Sequence, residues 1–218
     1  MKYKCILLDH DDTAVRSSPD VHYPAFIQSM EKYRPGEYIL PLQSFMNVSF
    51  YPGLMKYYRE TLHFTDDELD GEGRMWHDYV MEHIPRFYDG FAEFVTRLRD
   101  TNVLFAVTTQ STAAVVRRDY AAGCGFEPEL IYGYDLGEGK CKPSPYCIRD
   151  ISEKYGIAPS EMLVIDDLRL GLDMATAGGA DFACSGWSHF VPEIISYMKK
   201  NSPHYFSTVD ELSKFIFS

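Results

Sequence analysis

Short uninterrupted apolar runs recur along the chain, and between them apolar residues fall three or four positions apart. The runs are Lys4 to Leu8, Val103 to Val107, Leu130 to Tyr132, Met162 to Ile165 and Ala180 to Cys184. Each is too short for a helix and is flanked by turn residues, which predicts buried strands. The intervening segments 90–99, 112–122, 145–155, 170–177 and the last one, 209–217, carry helical spacing. Gly156 is placed to end one of these helices and Thr208 to cap another. Strand and helix in alternation predict an α/β fold, a Rossmann-like parallel sheet core covered by helices on both faces.

One stretch breaks this rhythm. From about Pro19 to His83 the sequence is rich in Tyr, Met, His and charged residues, keeps helical spacing and offers no convincing strand. Helices are predicted over 24–33, over 42–62 with an interruption at Pro52-Gly53, and over 66–84 with Thr65 as N-cap. The domain plan is a core of residues 1–16 and 87–218, with residues 17–86 inserted as an α-helical cap. The insertion leaves directly after the loop of the first strand, so it overhangs that loop, and its two crossing segments make a hinge.

Composition narrows the function classes. A chain of 218 residues that is 45% apolar can bury a core without staples. Lys and Arg total 21 against 32 Asp and Glu, a formal charge of -11, which excludes a phosphate-backbone binder and so nucleic acid as a partner. The five cysteines form no CxxC pair and read as reduced thiols. No apolar run approaches the roughly 18 residues that would cross a membrane, and Met1 to Lys4 leads into a strand without a signal-peptide core. A cytoplasmic protein, monomer or homodimer, with no membrane partner is expected.

The chemistry is concentrated where the first strand ends, at Asp9-His10-Asp11-Asp12-Thr13. Open parallel sheets keep their sites at the carboxyl ends of strands. If the chain stays extended, Asp9 and Asp11 point to the same side, and aligned carboxylates repel unless a cation separates them or one takes a proton. Taken alone, the stretch is equally a solvated polar turn. A calcium loop fits poorly, because Ala14 stands where such a loop needs Gly.

Three further stretches also fall at strand ends: Val107-Thr108-Thr109-Gln110, Lys142-Pro143-Ser144-Pro145, and Ile165-Asp166-Asp167 followed by Gly171 and Ala177-Gly178-Gly179. In order and spacing the four stretches resemble the motifs of the haloacid dehalogenase superfamily, in its phosphoglycolate phosphatase-like and beta-phosphoglucomutase-like branch. The resemblance spans the core and leaves the cap unmatched in detail. It implies a nucleophilic Asp9 that forms an aspartyl-phosphate. It implies that Asp11 protonates the leaving group and later activates water, with a pKa shifted toward neutrality by its anionic neighbours. Asp at this second position favours phosphate-ester chemistry over the family's dehalogenases, phosphonatases and transport ATPases.

By the same resemblance Lys142 neutralises the phosphoryl oxygens and Thr109 hydrogen-bonds to them, with Thr108 competing for that role. Mg2+ is the implied cofactor, with Asp9, Asp167, the main-chain carbonyl of Asp11 and, in a lesser role, Asp166 as its protein ligands. Alone, Lys142 would read as a surface lysine, Thr109 as a helix N-cap, and Asp166-Asp167 as an N-cap pair. The sequence departs from the pattern at Asp12, which replaces a common Gly and is left without a chemical task, at Gln110 for Asn, and at Leu168 for Ser. Arg16, His22, Thr108 and Gln110 are the candidates for substrate contact. His22 nevertheless lacks partners at metal-ligand spacing and, like His63, His77 and His83, reads as an exposed cap histidine.

These readings converge on a Mg-dependent phosphatase acting on a small phosphorylated metabolite. The same site in a sugar-phosphate mutase would pass the phosphoryl group to a sugar hydroxyl instead of water, and a noncatalytic binding protein on the same scaffold is the third possibility. The cap sets the substrate, and its aromatic, Arg and His content names none.

Overall fold

The computed structural model describes residues 2–218. Six parallel strands form one sheet in the order β3-β2-β1-β4-β5-β6: β1 Cys5–Leu8, β2 Leu104–Thr108, β3 Leu130–Tyr132, β4 Met162–Asp166, β5 Asp181–Ser185 and β6 His204–Phe206. The helices are α1 Tyr23–Tyr33, α2 Leu42–Phe50, α3 Leu54–Lys56, α4 Asp66–Glu82, α5 Phe91–Arg99, α6 Ala113–Cys124, α7 Tyr146–Tyr155, α8 Arg169–Gly178, α9 Pro192–Asn201 and α10 Val209–Phe217. Strand β1 is central, pairing Leu8 with Val107 of β2 and with Ile165 of β4, which brings the carboxyl ends of three strands together.

Strand alternation sorts the core into two layers. Cys5, Leu7, Ala106, Val164 and Phe182 face α7, α8 and α9, while Ile6, Leu8, Val107, Ile165 and Ala183 face α5, α6 and α10. Every residue of β1 and β4 is buried, as expected of strands covered on both sides. Gly156 ends α7 with φ +66°, the left-handed conformation its position at the helix end predicts. Thr208 caps α10, and Thr65 caps α4, through reciprocal bonds with Glu211 and Glu68.

The segment between β1 and α5 is helical among the described residues. It begins earlier than predicted: a π-helical turn, Ser18–His22, runs straight into α1. Pro19 occupies a first-turn position, where a missing N–H costs nothing, and Pro24 falls where the π-helical turn passes into α1. The predicted 42–62 helix is divided into α2, α3 and a second π-helical turn, Tyr57–Thr61, with the break at Pro52-Gly53 as predicted. Where the segment leaves and returns, Arg16 N–H donates to Arg86 and Tyr88 N–H to Ala14, so the two crossing strands pair around Val15 and Phe87.

Two elements fall outside the predicted set, α9 and the edge strand β6. Helix α9 places Ile194 and Met198 in the core and supports the helical segment, since Tyr197 meets Phe50 of α2 edge to face at 5.4 Å.

Candidate active site

The site lies at the carboxyl ends of β1, β2 and β4, beneath the helical segment. Asp9 follows β1 on the face that carries Cys5 and Leu7, and Asp166 ends β4 on the same face. Lys142, from the loop before α7, inserts between them: its Nζ donates to Asp9 Oδ1 at 2.5 Å and to Asp166 Oδ2 at 2.6 Å. All three are buried. Burial works against the Lys142 ammonium, but the charges of Asp166 and Asp9 prevail and hold it above the usual lysine range. Burial likewise pushes the Asp9 carboxyl up, to about 7, against the attraction of Lys142.

Asp166 is fixed by local geometry. Its Oδ1 accepts the Leu168 N–H at 2.9 Å, and its carboxyl packs where a Cβ on Gly171 of α8 would stand. Glycine at 171 is required by this close approach. Asp167, next in the chain, is buried, and its Oδ2 has no hydrogen-bond partner among the described residues. Burial, then the charges of Asp9 and Asp166, raise its carboxyl well above the usual range.

One ligand atom each from Asp9, Asp166 and Asp167 lie within 4.8 Å of one another. Buried hard oxygens facing one lysine, one of them orphaned, fit a divalent cation such as magnesium. Because Lys142 and the Leu168 amide already engage Asp166, the Asp9 and Asp167 oxygens are the ones best placed for it.

Asp11 sits opposite, and here the structure corrects the expected charge state. Its Oδ2 accepts from Thr109 Oγ1 at 3.1 Å and from Ser111 Oγ at 2.7 Å, and its Oδ1 pairs with His22 Nε2 at 3.2 Å. Burial disfavours the carboxylate, but the His22 bond and charge, with help from His10 and Ser111, hold Asp11 well below the usual range. It is not shifted toward neutrality by its acidic neighbours. His22 moves the other way: burial lowers it, Asp11 and Asp12 outweigh burial, and the imidazole is raised above its ordinary value. Both shifts favour the charged forms of the pair, carboxylate and imidazolium.

His22 is also not an exposed histidine. It is half-buried at the end of the first π-helical turn, its ring stacked on Trp76 of α4 with centroids 5.1 Å apart. Asp12, left without a task by the sequence, takes φ +55° and accepts the Ser18 N–H at 3.0 Å, anchoring the chain as it enters the helical segment. Burial, opposed by that bond, raises its carboxyl to about 6.

The remaining candidates divide. Gln110 lines the cavity above Asp9 and donates to the Lys142 carbonyl at 2.8 Å, bracing the lysine loop. Thr108 turns into the core against Met174 and does not reach the cavity, because it continues the Ala106 face of β2. Arg16 lines a neighbouring cavity of 460 Å³ with Tyr88, Trp187 and His189 and lies 3.9 Å from Asp20.

Three residues escaped the sequence reading. Ser111 makes the shortest bond to Asp11; a second hydroxyl two positions after Thr109 was its only signal. His10 and Asp119 are both fully buried and meet at 3.0 Å. His10 alternates with Asp9 and so points to the α6 side. Asp119 is held in turn by Arg118, which caps the end of α4 through the Val80 and His83 carbonyls. The loop after β1 is thereby tied to the helical segment.

The model of a hydrolase family, haloacid dehalogenase-like hydrolase, matches residues 3–179. No curated protein matches the sequence significantly. Among solved structures, a predicted phosphoglycolate phosphatase from Haemophilus somnus superposes with a TM-score of 0.80 at 17% identity, over 99% of both chains. A HAD family hydrolase from Deinococcus radiodurans, with bound phosphate and sodium, gives 0.70 at 20% identity over 97% of this chain and 93% of that one. CbbY from Rhodobacter sphaeroides, in complex with a xylulose bisphosphate, gives 0.68 at 15% identity over 94% of each. At these identities the likeness is one of fold. Among the described residues no helix is long and apolar enough to cross a membrane.

Proposed function

The chain belongs to the haloacid dehalogenase-like hydrolase family, and we propose that it is a magnesium-dependent phosphatase that hydrolyses a small phosphorylated metabolite through an aspartyl-phosphate on Asp9. The observation that carries this reading is convergence: around one cavity of 310 Å³ stand Asp9, the Asp11–His22 pair, Lys142 and the orphaned Asp167 oxygen. Phosphoryl transfer needs a nucleophile, a proton for the leaving oxygen and positive charge around the equatorial oxygens, and these groups supply all three.

In the first step an Asp9 oxygen forms a bond to phosphorus as the bond to the leaving oxygen breaks. That oxygen takes the proton held by the Asp11–His22 pair and departs as an alcohol. In the second step Asp11 accepts a proton from water, whose oxygen bonds to phosphorus, and the Asp9 carboxylate leaves. Lys142 stays between Asp9 and Asp166 throughout and offers its charge to the phosphoryl oxygens. Thr109 and Ser111 hold Asp11 in orientation. Asp9 and Asp167, with the Asp11 carbonyl, would hold a magnesium ion, which would supply charge that keeps the two carboxylates ionised and neutralises the phosphoryl group. Residues 17–86 act as the cap, closing over the cavity about the paired segments at Val15 and Phe87 to exclude water.

Magnesium-dependent release of phosphate from p-nitrophenyl phosphate tests the reading. It is abolished in Asp9→Asn with an unchanged circular dichroism spectrum; activity retained in that variant rejects the mechanism. Measuring isomer formation beside phosphate release on sugar phosphates separates hydrolysis from mutase chemistry.

A further inference from the structure

The walls of the catalytic cavity carry information about the alcohol half of the substrate. Beyond the carboxylates and Lys142, the helical segment contributes Phe45, Leu54 and Trp76, and the loop after β4 contributes Leu168 and Leu170. Trp76, stacked on His22, gives the cavity a flat aromatic wall. Apolar and aromatic lining of this kind favours a ring-bearing ligand.

Cations are scarce in the same walls. Among the described residues Lys142 and His22 are the only basic side chains that line the cavity, and both are engaged, Lys142 by Asp9 and Asp166 and His22 by Asp11. Four of the six arginines and lysines of the helical segment turn to carboxylates elsewhere, Arg34 to Glu68 at 2.8 Å, Arg59 to Asp66 at 2.9 Å, Arg86 to Asp20 at 3.1 Å and Lys56 to Glu60 at 3.7 Å, and the other two, Lys32 and Arg74, do not line the cavity. Arg169, two residues after Asp167, turns to Asp173 at 3.8 Å, and Arg16 lies in the neighbouring cavity.

Five carboxylates, Asp9, Asp11, Asp12, Asp166 and Asp167, line the catalytic one. One divalent cation and Lys142 carry less positive charge than these carboxylates and the phosphoryl group carry negative, so no cation is left over for another anion. A second anion on the substrate would be desolvated beside negative charge with no partner.

We propose that the substrate is a phosphomonoester of a neutral, ring-bearing alcohol, of the aryl phosphate or nucleoside monophosphate kind, and that esters carrying a second anionic group are rejected. This rests on the phosphatase reading above. It sets the chain apart from an enzyme for phosphoglycolate, which carries a carboxylate, and from a mutase working through a sugar bisphosphate.

The test compares matched pairs: phenyl phosphate with para-carboxyphenyl phosphate, and a nucleoside monophosphate with the corresponding bisphosphate, with phosphoglycolate as a further member. The neutral member should win in kcat/KM by about tenfold or more. Trp76→Ala should raise KM for phenyl phosphate by a larger factor than it raises KM for phosphoglycolate. Equal or better turnover of the second-anion members overturns the inference and leaves the phosphatase reading standing.

Calorimetric binding of the same pairs to Asp9→Asn separates the two claims. If no ester is turned over by the wild type but the variant still prefers the neutral members, the phosphatase reading fails and the inference on the cavity holds. If the variant prefers the second-anion members, or binds neither, the inference fails.

Discussion

His22 Nε2 lies 3.2 Å from Asp11 Oδ1, so a histidine of the helical segment is hydrogen-bonded to a carboxylate at the end of the central strand. In the proposed mechanism the pair joins the two parts of the protein at the point where the leaving group is protonated. His22→Gln keeps a hydrogen-bonding group and removes the proton. For an alkyl phosphate, whose alkoxide leaves poorly, kcat should fall by about 10²-fold. For p-nitrophenyl phosphate, whose leaving group needs no proton, the fall should be much smaller. Equal losses on both substrates would show that His22 only holds the loop in place.

Lys142 is buried between two carboxylates, so its removal strands both. Lys142→Met should cost about 3–5 kcal/mol of stability, as is usual when one partner of a buried ion pair is removed. In a chain of this size that is a loss of about 2–4 °C in Tm for each kcal/mol. Activity should be lost as well. A Tm unchanged in calorimetry would mean that the pairing contributes little to the fold.

Asp167 carries the orphaned oxygen, and its carboxyl is raised by burial and by the charges of Asp9 and Asp166. Magnesium should therefore stabilise the wild type, by about 2.7 kcal/mol at a concentration one hundred times Kd. Asp167→Asn should be more stable than the wild type without metal and should show no magnesium-dependent shift. Thermal melts with and without magnesium read both effects.

Glu72 of α4 is buried in the helical segment, where Ser29 and Tyr58 donate to its Oε1. Burial raises its pKa from the ordinary 4.5, against the pull of the Tyr58 and Ser29 bonds. The folded state thus binds this proton more tightly than the unfolded chain. Its contribution to stability is full below the unfolded pKa and is lost as pH rises through the folded one. Glu72→Gln removes the titration. The variant should melt above the wild type at pH 8, with the difference shrinking as pH falls toward the ordinary carboxylate value. A constant difference across that range would contradict the assignment.

Much of this architecture can be read from residue pattern alone, because β1 and β4 are buried on both faces and so appear as unbroken apolar runs. Edge strand β6 cannot be read in the same way. It has three residues, all half-buried, and follows Ser202-Pro203, which reads as loop. Gly171 and Asp166 are near neighbours whose close approach motif spacing already implies. The His10–Asp119 and His22–Asp11 contacts arise from packing between elements far apart in sequence or across the entry to the helical segment. Thr108 shows the converse: its neighbour Thr109 leaves the strand while Thr108 obeys strand alternation, and period two directs it into the core.

The central claim is that Asp9 carries the phosphoryl group. Acid quenching of the magnesium-loaded enzyme during turnover, followed by peptide mass spectrometry, tests it most directly. The account predicts one phosphoryl group on the peptide containing Asp9, discharged by hydroxylamine and absent from Asp9→Asn. Turnover without any phosphorylated peptide, or with the label on another residue, would contradict it.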